Sequence, residues 1–330
     1  MLYDVLHRFP RVVFFIDPIH ALKPTDTSLA MMHAFNLEHW DTFFFDRSQL
    51  ILQNSQPHCI STQITFPSNT PADFSSSDES KCLPLSHFDL VLIRTEPPVT
   101  AAYLNDLQIL RIASLQNTLV LNSPDGIITN NEKLSVFNWP ELQVPTVMSR
   151  NKQVILDFCR DNFPVVLKPL DQFGGSGVFK VQQDDPNVDV IIESISNNGK
   201  DFVVGQKYLP AVKSSGDTRI LMLNGEPYPI TVQRLPSGES IRSNIRVGGK
   251  GSFGELTSKQ AEICKEIGGF LKSQGLVFAG LDVIGDCLNE INVTCPYFPI
   301  IQIFKEKGVN IGQVIVEMYS KLVLEHLEKQ

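Results

Sequence analysis

The chain has 330 residues, a net charge of −8 at neutral pH and a pI near 5.4, with 42% hydrophobic and 19% charged residues. That length suits two or three α/β-sized units, and the composition is that of an ordinary soluble globular protein. The absence of any Lys/Arg block excludes a phosphate-backbone footprint for nucleic acid, and no window approaches the ~18 apolar residues of a membrane span.

The first apolar run, "RVVFFID", stops at Asp17 and has no small-residue cleavage site behind it, so it reads as a strand and not a signal peptide. Next come a helix around "SLAMMHAFNL", strands "DTFFFD" and "FDLVLIR", a helix around "YLNDLQILRIAS", and a strand "TLVLNS". Strands alternating with helices predict an α/β unit with a mostly parallel sheet whose ligand edge lies at the strand carboxyl ends. The polar stretch Pro67 to Pro84, rich in Ser, Pro and Asp, reads as a surface loop. After "SPDGIITNNEKL" the pattern changes to short strands: "PVVLKPL", "VFKV", "FVVGQKYL" and "TRILMLNGEPYPITVQRL". Asn224-Gly225 between two apolar runs is a hairpin signal. A helix over Ser258 to Gln274, a strand "LVFAGLDVIG" and an amphipathic helix over Ile311 to Leu327 close the chain.

Two stretches carry chemistry. In "VVLKPLDQFGGSGVFKV" a strand-like run ends at Lys168 and runs into Gly174, Gly175, Ser176 and Gly177. Glycines let main-chain N–H groups curl around anionic oxygens, and a lysine adds the point charge such a nest lacks. The stretch is neither a Walker A loop nor a dinucleotide fingerprint. In "FAGLDVIGDCLNEINV" a three-residue loop, Gly285 to Cys287, puts Asp282 opposite Glu290 and Asn292 two residues further along the same face. Leu281, Val283, Ile291 and Val293 then share the other face, a clean separation that a two-residue loop would destroy. Two carboxylates and an amide oxygen are hard ligands of the type Mg²⁺ takes when it also binds substrate phosphates.

The six cysteines lack C-x-x-C spacing, which argues against a zinc site and a disulfide framework and fits a reducing cytoplasm. Six of the seven histidines precede residue 90 with no serine or cysteine elbow beside them, so they read as structural or surface residues.

The ordered set Lys133 in "NEKL", Lys168 with its glycine loop, "QKYLP", Arg219 in "GDTRILMLNGEP", "NIRVGGKG" and "GLDVIGDCLNEINVT" resembles the ATP-grasp superfamily, and within it the bacterial-type glutathione synthetases. "LPLSHFDLVLIRTEPP" extends the likeness to the N-terminal part. The resemblance implies an N-terminal α/β domain over residues 1–122, a small lid over 123–202 and a metal-bearing part over 203–330. It implies an ATP-dependent carboxylate-amine ligase that activates the cysteinyl carboxylate of γ-glutamylcysteine and joins it to glycine. ATP would be a substrate and Mg²⁺ or Mn²⁺ the metal, in a cytoplasmic homo-oligomer, a dimer or tetramer.

By position, Lys133 and Lys168 would hold the phosphates and Gly174 to Gly177 would fold over them. Gln206, Lys207, Tyr208 and Leu209 would meet the adenine, and Asp282, Glu290 and Asn292 would bind the metal. Arg219 with Asn244 to Gly249 would face the transferred phosphate and the oxyanion, and Arg94, Arg234 and Arg242 the peptide substrate. The chain departs from the family pattern after "INVT": Cys295 replaces a serine, and Ile300-Ile301 stand where an Arg-Glu pair near the amino-acid acceptor is expected. A ligase using another amine, and a non-catalytic nucleotide-binding relative, are the alternatives.

Overall fold

The computed structural model describes residues 2–68, 70–238, 243 and 250–330. Arg242, Asn244 and Gly249 lie outside the described residues. The first part runs α1 (Leu2–Leu6), β1 (Arg11–Phe15), α2 (Thr27–Leu37), β2 (Asp41–Phe45), β3 (Leu50–Gln53), β4 (Gln56–Thr65), β5 (Ser75–Pro84), β6 (Leu90–Ile93), α3 (Ala101–Leu115), β7 (Val120–Leu121) and α4 (Pro124–Thr129). Its strands form one seven-stranded sheet in the order β3-β4-β2-β1-β6-β7, with β5 on β4. β2, β1, β6 and β7 are parallel neighbours, and Val12 to Phe15 are fully buried because helices cover both faces.

The other three strands pair antiparallel, so the sheet is mixed where a mostly parallel one was expected. The expected loop Pro67 to Pro84 contains β5, an edge strand of ten residues. Its Ser and charged side chains face water on both sides, so it carries no apolar alternation to read; such composition also keeps a free edge from pairing with other chains.

The second part is β8 (Thr146–Ser149), α5 (Lys152–Asn162), β9 (Val165–Pro169), β10 (Phe179–Val181), α6 (Val188–Ile195) and β11 (Val203–Lys207). These strands make an antiparallel sheet in the order β10-β9-β11-β8. Its separate small core joins Ile155, Cys159, Leu167, Val181, Ile192 and Val203. β11 pairs with β8 and β9, so a boundary at 202/203 separates it from its own sheet.

The third part is α7 (Ala211–Ser214), β12 (Asp217–Leu223), β13 (Glu226–Pro227), β14 (Ile230–Leu235), β15 (Lys250–Glu255), α8 (Ser258–Ser273), β16 (Phe278–Ile284), β17 (Cys287–Asn292), α9 (Ile300–Lys307) and α10 (Ile311–Leu327). Its antiparallel sheet has the order β15-β14-β12-β16-β17, with β13 on β12. Asn224 and Gly225 form the expected turn, both at positive φ. Along β12, Ile220 and Met222 pack on the side of α8, with Ile263 and Ile267. On the alternate face, Asp217 and Arg219 line a cleft, while Leu221 and Leu223 join the core under β1 and α2. One face of a single strand thus passes from site to core.

Candidate active site

A cleft of about 840 Å³ opens where the carboxyl ends of β1 and β6 meet the two antiparallel sheets. Asp17 and Glu96 follow those strand ends; Lys168 lies near the end of β9, residues 206–209 end and follow β11, and Asp217, Arg219, Asp282, Glu290 and Asn292 come from the third sheet. The sequence-derived set Lys133, Lys168, Gly174, Gly175, Ser176, Gln206, Lys207, Tyr208, Leu209, Arg219, Arg234, Asp282, Glu290 and Asn292 converges on this one cleft.

Asp282 is paired with Glu290, as strand alternation requires, and Asn292 lies opposite Gly280. The connection differs from expectation. Ile284 pairs with Cys287, so the turn is the two residues Gly285-Asp286, and the register shifts by one residue between Asp282 and Val283. Asn289 is the extra residue: a bulge restores the frame that the short turn breaks. The bulge also turns the Asn289 side chain to the cleft, where its Oδ1 accepts from Lys168 Nζ at 3.4 Å.

Asp282 is 2% exposed and accepts from four donors. Arg219 Nε and Nη2 donate to its two oxygens at 2.5 and 2.8 Å, Arg234 Nη2 lies at 2.8 Å, and Asn292 Nδ2 at 3.3 Å. Burial alone would raise its pKa, yet the two guanidiniums hold it well below the usual carboxylate range. Arg234, expected at the peptide substrate, is thus built into the acid cluster, and also donates to Asp217 Oδ2 at 2.6 Å. Asp217 is missing from the sequence-derived set, although alternation from Arg219 puts it on the same face. Its Oδ2 also accepts from Ser243, its Oδ1 has no partner among the described residues, and burial pushes its carboxyl up to about 6 despite Arg234.

Lys133 Nζ donates to the carbonyls of Leu170 and Gln172 and lies 3.5 Å from Glu290. Lys168 is buried, which lowers its pKa, and its Nζ donates to Gln206 Oε1 at 3.3 Å. Glu132, absent from the sequence-derived set, ties that lysine's segment to the hairpin of β16 and β17. Its carboxylate accepts from the N–H groups of Val293 and Thr294 and from Thr294 Oγ1, and its backbone carbonyl accepts from Ile291.

In the glycine loop, Gly174, Gly175 and Gly177 have φ values of 64°, 82° and 66°, a region L side chains rarely adopt. Gly174 to Ser176 line the cleft, whereas Gly177 backs onto Pro169. Lys180 Nζ lies 4.0 Å over the Tyr208 ring, a cation–π contact between β10 and the end of β11. Arg94 does not line the cleft. It is 3% exposed, donates to Ser28 Oγ and the Pro296 carbonyl, and lies over the Phe278 ring, which fixes the cleft wall from behind. Cys295 lines the cleft, and burial pushes its thiol up to about 12, so it stays neutral.

The donor set of Asp282, Glu290 and Asn292 suits a hard divalent cation. The three side chains lie together: Asn292 Nδ2 donates to Asp282 Oδ2 at 3.3 Å and to the Gly280 carbonyl at 3.1 Å, and Glu290 is paired with Asp282 across β16 and β17.

A family model described as "Prokaryotic glutathione synthetase, N-terminal domain" matches residues 11–127, and "Prokaryotic glutathione synthetase, ATP-grasp domain" matches residues 132–307. The glutathione synthetase of Nitrosomonas europaea is 33% identical over 310 residues, 93% of this chain and 96% of that one. That of Escherichia coli K12 is 36% identical over 282 residues, 85% and 89% of the two chains. Among solved structures, D-cycloserine synthetase DcsG has a TM-score of 0.66 at 14% identity, covering 94% of this chain and 99% of that one. A RimK domain ATP-grasp protein from Sphaerobacter thermophilus has a TM-score of 0.60 at 15% identity, covering 93% and 98%.

Proposed function

Because the chain belongs to the prokaryotic glutathione synthetase family, an ATP-grasp ligase family that makes glutathione at the expense of ATP, we propose how its own residues divide that work. The observation that carries the reading is the convergence of Lys133, Lys168, Arg219, Arg234 and the oxygen set Asp282, Glu290 and Asn292 on one cleft.

A carboxylate is a poor electrophile. A cysteinyl carboxylate oxygen of γ-glutamylcysteine attacks the γ-phosphorus of ATP, and ADP leaves. The glycine amine, having lost a proton, attacks the acyl carbon, and phosphate departs with the former carboxylate oxygen. Little proton transfer falls to side chains; the demand is to place three reactants and neutralise oxygens on which charge accumulates. Lys133 and Lys168 neutralise the nucleotide phosphates. Arg219 and Arg234 orient Asp282 and spread positive charge along the same wall. Asp282, Glu290 and Asn292 would hold Mg²⁺ or Mn²⁺, which when bound would supply positive charge to neutralise phosphate oxygens. The loop Gly174 to Gly177 excludes water over the phosphates.

Residues 206–209 take the adenine. The N–H groups of Lys207 and Tyr208 are engaged by the Pro145 and Pro164 carbonyls, which leaves the Leu209 N–H, with no bond among the described residues, for the ring edge. Residues 146–207 form the lid, 1–122 the N-terminal domain, and the remainder the metal-bearing part. The reading also carries a cytoplasmic homo-oligomer, in keeping with free cysteines; among the described residues no helix is long and apolar enough to cross a membrane.

The test incubates the protein with ATP, Mg²⁺ and γ-glutamylcysteine, with glycine, larger amines or no acceptor, and identifies products by mass spectrometry. Glutathione, ADP and phosphate are expected with glycine. A product formed only with another amine would replace the acceptor, which the apolar Ile300-Ile301 pair makes worth asking; no product with any amine would overturn the reading.

A further inference from the structure

The cations lining the cleft are unevenly committed. Lys133, Lys168, Arg219 and Arg234 each hold carboxylates, amides or carbonyls of the protein, and Lys207 lies at the nucleotide end beside Tyr208. At the opposite end, beyond the metal-side hairpin, the wall comes from the segment before α2, from Glu96 and from residues 295–297. There Lys23 is the lining cation, exposed and with no ion pair or side-chain hydrogen bond among the described residues. Its backbone is fixed: the Lys23 carbonyl accepts from Asp26 N–H at 2.8 Å, immediately before the α2 cap. The acids Asp17, Asp26 and Glu96 share this end. The first turn of α9 supplies no cation, since Ile300 is 7% exposed and Ile301 packs into the core with α2.

Among the described residues, this end of the cleft therefore presents several acids and one cation without a protein partner, the complement of a zwitterionic amino-acid head. Resting on the ligase reading above, we propose that Lys23 is a specificity-determining residue that binds an α-amino-acid carboxylate, with the nearby acids facing the ammonium group. Both γ-glutamylcysteine and glycine carry such a carboxylate. The glutamyl head is the expected occupant, because the other end of the peptide, its cysteinyl carboxylate, must lie at the phosphates. The lysine is a solvated point charge, so it recognises charge and leaves the chemical step to other groups.

Steady-state kinetics of Lys23→Ala and Lys23→Arg, with each substrate varied in turn, test this. For Lys23→Ala the KM for γ-glutamylcysteine is expected to rise about tenfold or more, as for a lost charge-assisted hydrogen bond, with kcat and the KM for ATP within about twofold; Lys23→Arg should recover most of the loss. A donor whose glutamyl unit lacks the α-carboxylate, 4-aminobutyryl-cysteine, should be discriminated against by the wild type and not by Lys23→Ala, a coupling that a general structural defect would not produce. A rise confined to the KM for glycine would keep Lys23 as the carboxylate cation and assign it to the acceptor. Unchanged KM values for both, in a protein whose wild type makes glutathione, would overturn the proposal. A wild type that makes none would instead overturn the ligase reading on which it rests.

Discussion

Arg219 and Asp282 face each other on adjacent strands and share two hydrogen bonds of 2.5 and 2.8 Å, with both side chains nearly buried. The planar fork of the guanidinium fixes the carboxylate plane, and a lysine cannot reproduce two parallel bonds. Arg219→Lys, which keeps the charge, is therefore expected to lower kcat/KM by about a hundredfold and to raise the Mg²⁺ concentration needed for half-maximal rate. Rates measured across a Mg²⁺ titration check this; a variant within threefold of wild type at every concentration would remove the fork from the mechanism.

The bulge at Asn289 makes a sharper test, because it separates register from chemistry. Deleting Asn289 leaves the two-residue turn intact and removes the bulge, so that unbroken alternation keeps Glu290 opposite Asp282 and Asn292 opposite Gly280. Activity should therefore survive the deletion, within about tenfold of wild type, as it should for Asn289→Ala, since both lose the 3.4 Å contact to Lys168. Turnover of the two variants, with circular dichroism to verify folding, decides it; loss of activity on deletion alone would mean that the bulge itself, and not only the register, sets the site.

Asp217 supplies a pH signature. Burial raises its folded pKa to about 6, above the ~3.9 of an unfolded aspartate, so the folded state binds the extra proton between these values. The associated stability is fully present below about pH 4 and is lost as pH rises through about 6. The stability of wild type relative to Asp217→Asn should therefore decline from pH 4 to pH 7 without nucleotide. Urea denaturation across that range measures it, and a flat difference would mean that the carboxyl is not raised.

Gly268 of α8 lies against the turn before β13, where an added Cβ would stand 2.0 Å from the Gly225 carbonyl oxygen. Gly225, at φ +85°, cannot readily retreat. Gly268→Ala is expected to cost about 2–3 kcal/mol, although alanine favours helix, and denaturant midpoints would reveal it.

The sequence made legible what depends on alternation and on local turn chemistry. The opposition of Asp282 to Glu290 and the Asn224-Gly225 turn follow from strand periodicity and positive-φ residues, and the limits Ile311 and Leu327 of the last helix coincide with its apolar pattern. The bulge did not appear, because a three-residue loop and a two-residue turn with one extra residue give the same parity at Glu290. β5 lacked an apolar face, so nothing in its residues marked a strand. Glu132 and the double pairing of Arg234 depend on partners 161 and 48 positions away in the chain, which no local pattern encodes.

The central claim is that ATP activates the cysteinyl carboxylate as an acyl phosphate before the amine attacks. The most direct measurement uses γ-glutamylcysteine labelled with ¹⁸O in that carboxylate, with ATP, Mg²⁺ and glycine, and mass analysis of the released phosphate. Transfer of one carboxylate oxygen to each phosphate is expected, with unlabelled ADP. Glutathione formed alongside unlabelled phosphate would contradict the account, since the carboxylate oxygen would then never have been bonded to phosphorus.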